Sequence, residues 1–112
     1  MKNSRVNDIL IAGERIYAAI DNMGVFISVN NGNSWIADTL GVGGKQVTGL
    51  AFNDPYIYAA TLQGVYRKNI NTAAWKNISE GLKILPVSSI AFKDDYTLAG
   101  TLGTCVWKQK DK

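Results

Sequence analysis

No histidine occurs in this chain of 112 residues, and that absence removes several chemistries at once. Serine- and cysteine-based triads need an imidazole to carry the proton, and most zinc sites need one as a ligand. The carboxylates that remain are few and scattered. Asp94-Asp95 falls in a turn and reads as a solvated pair rather than a catalytic dyad. A glycosidase would need two carboxyl groups held roughly 5–10 Å apart across a cleft, and no spacing here demands that. Asp21-Asn22 and Asn53-Asp54 offer oxygens, but neither stands in the alternating acidic ladder of a calcium loop. Gly41-Val42-Gly43-Gly44 is a candidate flexible connection, not a phosphate loop, because no helix pattern follows it. Cys105 is the lone cysteine, so no intrachain disulfide can form, and its setting beside a strand suits a buried, inert thiol. These residue types predict a protein that is not an enzyme and needs no cofactor or metal.

The elements that carry these residues follow from an internal repeat. Residues 6–20 read VNDILIAGERIYAAI, residues 47–61 read VTGLAFNDPYIYAAT, and residues 87–101 read VSSIAFKDDYTLAGT. An apolar pair after glycine follows in the first two copies, Gly24-Val25-Phe26 and Gly64-Val65-Tyr66, and Val106-Trp107 follows Gly103 in the third. Trp35 and Trp75 keep the same register. A period near 40 residues marks stacked supersecondary units. Turn signals at Ala12-Gly13-Glu14, Asn31-Gly32-Asn33, Asn53-Asp54-Pro55 and Lys93-Asp94-Asp95 cut each copy into short strands. The expected strands are 6–12, 15–21, 24–30 and 34–39, then 47–53, 56–62, 64–70 and 74–79, then 87–93, 96–102 and 105–109. This predicts an all-β fold of eleven strands in antiparallel sheets, two four-stranded and one three-stranded, with units at about 6–46, 47–86 and 87–112.

The strands are apolar on both faces, as in Ile16-Tyr17-Ala18-Ala19-Ile20. Sheets covered on both sides must stack face to face. The small pairs Ala18-Ala19, Ala59-Ala60 and Ala99-Gly100 recur at one repeat position and would let neighbouring sheets approach closely near an axis. Tyr17, Tyr58 and Tyr96 read as packing residues, and Arg15 as a solvated turn residue.

The stretch Ser28-Val29-Asn30-Asn31-Gly32-Asn33-Ser34-Trp35 resembles the Asp-box, or BNR repeat, of β-propellers. Ser28, Asn30, Gly32, Ser34 and Trp35 are its matching positions, with Asn30 where the pattern has aspartate. The second copy, residues 68–75, keeps only Trp75 securely. The whole repeat is similar to blades of bacterial secreted, sortilin-like and photosystem-assembly-factor-like propellers. The resemblance implies that the box is a hairpin between the third and fourth strands of a blade, with Trp35 packed between blades. It implies that ligands sit where the blade-to-blade loops and the loops from second to third strand converge. Asp21, Asn22, Lys45, Gln46, Gln63 and Lys83 are the contacts it nominates there. A sialidase-like glycoside hydrolase is the alternative, but it needs an arginine cluster, and neither Arg15 nor Arg67 stands in an Arg-Ile-Pro context.

The expected function is a non-catalytic binding or scaffolding module for a protein, peptide or glycan. A purely structural segment is the further alternative. Propellers usually have at least four blades. Three would leave two apolar flanks in water, so the expectation is a homodimer closing a six-bladed ring, or a piece of a larger propeller. The net charge of +3 is mild, and its lysines do not interleave with aromatics, so no nucleic-acid groove is expected. No apolar run is long enough to span a membrane. Residues 1–5 carry no signal peptide, and the resemblance alone suggests a secreted or periplasmic home.

Overall fold

A computed structural model of the chain describes residues 4–79, 86–101 and 106–110. Within them eleven strands form three antiparallel sheets. The first sheet is β1 (Val6–Ala12), β2 (Arg15–Ile20), β3 (Gly24–Ser28) and β4 (Ile36–Ala37). The second is β5 (Val47–Asn53), β6 (Tyr56–Thr61), β7 (Gly64–Asn69) and β8 (Lys76–Asn77). The third is β9 (Val87–Lys93), β10 (Tyr96–Thr101) and β11 (Val106–Lys110). Each sheet is a meander in chain order. The first strand of every sheet carries an irregularity at one repeat position, at Val6/Asp8, at Val47/Gly49 and opposite Gly100/Thr101. A bulge there increases local twist, which fans the sheets about an axis. The first strands β1, β5 and β9 touch in sequence and so lie innermost.

Alternation along the strands explains the stacking. Leu10, Ala12, Tyr17, Ala19, Val25 and Ile27 of the first sheet face Leu50, Phe52, Ile57, Ala59, Tyr66 and Trp75 of the second. The other face of the second sheet, with Ala51, Tyr58, Ala60 and Val65, packs on Ile90, Phe92, Val87 and Ala99 of the third. Tyr58 and Phe92 meet as tilted rings 4.9 Å apart. Both faces of the second sheet are thus core, and each aliphatic side chain fully hidden there contributes about 1.5–3 kcal/mol. The alanine pairs are the floor of this packing: Ala18, Ala19, Ala59, Ala60 and Ala99 are all buried. The result is three blades of a β-propeller.

Four expectations need correction. The outer strands are two residues long, not six, because the chain leaves the sheet at Asp38 and Ile78 after one further backbone bond each, to Val25 and Val65. Gly41–Gly44 is not a loose connection: Val42 is buried, and the amides of Val42 and Gly43 both donate to Thr39 O. Gly41 lies so close to the next blade that a Cβ would stand 2.5 Å from Trp75 O. Arg15 is not merely solvated, since its Nη1 donates to Ile70 O of the second blade at 2.8 Å. Trp35, expected between blades, lies only half-buried and on the side of its sheet turned away from the second blade; Trp75 is the indole that fills a junction.

Candidate functional site

The loop face gathers part of the nominated set. Asp21 and Asn22 form the turn from β2 to β3, and Asn22 adopts a left-handed φ of 63°. Gln46 closes the link to the second blade. Its Nε2 donates to Asp21 Oδ1, and its Oε1 accepts from the Asn22 amide at 3.1 Å. Asn7 Nδ2 donates to the same Asp21 oxygen at 3.4 Å, and Arg5 approaches it at 3.6 Å. The Gln46 bond, with help from Asn7 and Arg5, holds the Asp21 carboxyl below the usual carboxylate range against a smaller opposing effect of desolvation. The Gln46 carbonyl accepts from the Leu62 amide, so the equivalent turn of the second blade is tied to the same link. Gln63 is exposed in that turn, its amide bonded to Thr61 Oγ1. Lys45 turns aside, with Nζ 5.7 Å from the centre of the Tyr66 ring. Lys83 lies outside the described residues. Asp21, Asn22 and Gln46 therefore form one bonded cluster, Gln63 neighbours it, and Lys45 does not join it.

Residues 28–35 form the turn from β3 to β4. Ser28 Oγ donates to Asn30 Oδ1 and accepts from the Gly32 amide at 2.8 Å. Asn30 Oδ1 also accepts from the Ser34 amide at 2.9 Å, while its Nδ2 donates to Ser34 Oγ. Asn31 and Gly32 take left-handed φ values of 64° and 88°, which asparagine and glycine tolerate. An amide does here what a carboxylate oxygen would do as acceptor, and its nitrogen supplies a donor a carboxylate lacks. The turn is self-satisfied and offers a ligand little.

Polar ties between blades were missed by the motif reading. Lys68 Nζ stands 2.6 Å from Asp38 Oδ1, and Trp75 Nε1 donates to Asp38 O at 2.9 Å. Asp8 Oδ2 accepts from the Leu50 amide, and Asn7 Nδ2 donates to Val47 O. Thr48 Oγ1 makes the equivalent reach to Val87 O. One signal was available: each copy has a polar residue directly after its first valine, namely Asn7, Thr48 and Ser88.

A cleft of about 620 Å³ opens between the second and third blades, lined by Asn53–Tyr56, Tyr58, Arg67, Asn77, Ile78, Gln109 and Lys110. The Arg67 guanidinium lies 4.2 Å from the centre of the Tyr56 ring. Among the described residues no group of three or more acidic or cysteine side chains is placed to hold a metal ion.

No family model matches the chain, and no curated protein matches it in sequence. Solved structures do match in shape. The computationally designed Ika4 protein superposes with a TM-score of 0.77 at 16% identity, over 96% of this chain and 67% of that one. The computationally designed Ika8 protein gives 0.73 at 12% identity, over 94% of this chain and 33% of that one. YCF48 from Cyanidioschyzon merolae gives 0.71 at 12% identity, over 94% and 34%. The chain thus spans about a third of the length of the last two. At such identities the likeness speaks for architecture alone, and that architecture is the β-propeller.

Proposed function

We propose that this chain is a non-catalytic propeller module for binding or scaffolding, working in a ring closed by a second copy or as part of a longer propeller. The observation that carries this is the open flank of the first blade. Ile9 and Ile11 are 58% and 69% exposed, and Phe26 and Trp35 on the same side are only half-covered. Their equivalents one repeat later, Leu50, Phe52, Tyr66 and Trp75, are packed against a neighbouring blade. A face built for a blade and left in water is an association surface. The free side of the third blade, with Ala91 and Leu98, is the complementary flank, and two chains so joined head to tail give six blades.

In this reading residues 28–35 are an Asp-box with asparagine at position 30, and its job is structural. The loop face, with Asp21, Asn22, Gln46 and Gln63 and with Lys45 at its edge, is where a protein, peptide or glycan would sit. Size exclusion with light scattering tests the assembly: twice the chain mass is expected at micromolar concentration, and Ile11→Lys should return it to the mass of one chain. A single-chain mass for the unsubstituted protein, folded by circular dichroism, would defeat closure by a second copy.

A further inference from the structure

The cleft between the second and third blades has a counterpart between the first and second, and there it is full. Trp75 fills it. Three things meet that indole: Tyr17 in the shared core, Asp38 through its carbonyl, and Lys68, whose Nζ is 5.8 Å from the ring centre. The strand registers place Tyr58, Ile78 and Gln109 at the same three positions one repeat on. All three line the cleft. The bonding differs in its acceptor: Gln109 Nε2 bonds the Ile78 backbone O, the counterpart of the Asp38 O that holds the indole, whereas Lys68 bonds the Asp38 carboxylate. The cleft is therefore shaped as a tryptophan seat. Trp75 arrives on the segment leading into β8, which pairs with the outer edge of β7 as Lys76 opposite Arg67 and Asn77 opposite Tyr66. In the third blade β11 takes the place of β7, and among the described residues its pairing is with β10.

We propose that the outer edge of β11 and this cleft form one docking site for a partner polypeptide. The partner adds an extended strand to β11 and seats a tryptophan in the cleft, with an acidic residue directly after the tryptophan. Strand addition gives affinity through main-chain bonds, and a side-chain pocket gives selectivity. Charge sets the acidic preference. The residue after the tryptophan falls opposite Lys108, as Lys76 falls opposite Arg67. Lys108 and Lys110 are exposed, and Arg67 and Lys110 on the wall outnumber its one carboxylate, Asp54. Opposite charges across a strand pair attract and like charges repel. The indole also meets Arg67, a cation suited to an aromatic face. This inference rests on the binding-module reading but not on ring closure, because closure uses the outer flanks of the first and third blades.

The probe is a blocked peptide of residues 72–79 of this chain carrying Lys76→Glu, titrated calorimetrically into the full chain. Saturable binding of one peptide per chain is expected. Replacing the tryptophan of the peptide by alanine should weaken it about tenfold or more. Lys108→Glu in the protein should reverse the preference, so that the peptide with lysine kept at position 76 binds better. Arg67→Ala, checked by circular dichroism, should weaken both peptides. No binding to folded protein at about 1 mM peptide, or binding indifferent to loss of the tryptophan, overturns the proposal. Light scattering with and without peptide separates the two readings. Mass unchanged by a bound peptide supports a partner strand; dissociation of the assembly by peptide assigns the cleft to a second copy and overturns it.

Discussion

Exchanging the polar tie of one junction for its counterpart at the next tests the repeat logic within a single chain. Lys68 and Asp38 join the first two blades, with side chains only 6% and 11% exposed. Gln109 and Ile78 hold the same places at the second junction. Asp38→Ile leaves the Lys68 ammonium buried without its carboxylate, and Lys68→Gln leaves the carboxylate without its cation. Removing one partner of a buried pair costs about 3–5 kcal/mol, whereas replacing both with groups that fit is close to neutral. Asp38 Oδ2 already lacks a hydrogen-bond partner, so the second loss has nothing local to offset it. The backbone frame survives either change: Asp38 N donates to Val25 O and Asp38 O accepts the Trp75 indole, neither through the side chain. Ile78 N makes the same bond to Val65 O. The double variant should therefore recover to within about 1 kcal/mol of the parent, so the coupling between the two changes should be about 5 kcal/mol or more, above the usual 0.5–3 kcal/mol for contacting residues. Urea unfolding followed by circular dichroism measures all four proteins, the midpoints being comparable if the slopes agree. Single losses below about 1 kcal/mol, or a double variant as weak as the two singles added, would refute the claim that the polar ties of the two junctions are interchangeable.

Other perturbations read separate parts of the structure. Trp75→Ala should cost about 3–5 kcal/mol, as for other buried aromatics, at any protein concentration. Trp35→Ala should cost less in dilute solution and approach the same loss where chains assemble; a concentration-independent cost would leave its flank unused. Gly41→Ala should lose about 1–3 kcal/mol in urea unfolding, because Gly41 has φ +101° and its Cβ would strike Trp75 O. The Asp21 carboxyl should titrate below the free value near 3.9 by carbon-detected magnetic resonance. A lowered folded-state value stabilises the fold above the unfolded value and loses that support as pH falls through the folded one. Gln46→Ala should raise the midpoint, and an unmoved midpoint would show that Gln46 is not the cause.

Strand number and sheet order were readable because they rest on local patterns. Turn residues such as Asn31-Gly32 and Asp94-Asp95 need only their neighbours to specify a reversal. Both-face apolarity in residues 16–20 announced stacking without naming a partner. What escaped were ties across some 30 to 55 positions, such as Lys68 to Asp38 and Arg15 to Ile70. A lysine in a strand and an aspartate after another carry no local mark of their pairing. Arg15 was misjudged for the same reason: a turn flank looks solvated until the next blade is laid over it. Loop position nominates residues such as Asp21, Asn22, Lys45 and Gln46, but it carries no sign that Gln46 bridges Asp21 and Asn22 while Lys45 leans on Tyr66.

Near-equivalent blades let each position be judged against its own copies, and the differences carry the functional information. Where Ile16, Phe26 and Trp35 repeat the types of Ile57, Tyr66 and Trp75, the first flank keeps what a junction needs, though no described blade meets it. Where Ala12, Ile27 and Asp38 become Asn53, Arg67 and Ile78, the second junction departs from the first, and all three changed residues border the cleft. Drift confined to packing would conserve size and polarity. Here alanine and isoleucine have become polar and cationic beside a pocket that a tryptophan would fill, while the aspartate that paired a lysine has become apolar. A buried arginine facing nothing would be costly. Its position over Tyr56 at the mouth of an open cleft removes that cost and leaves the guanidinium where an incoming aromatic side chain would meet it.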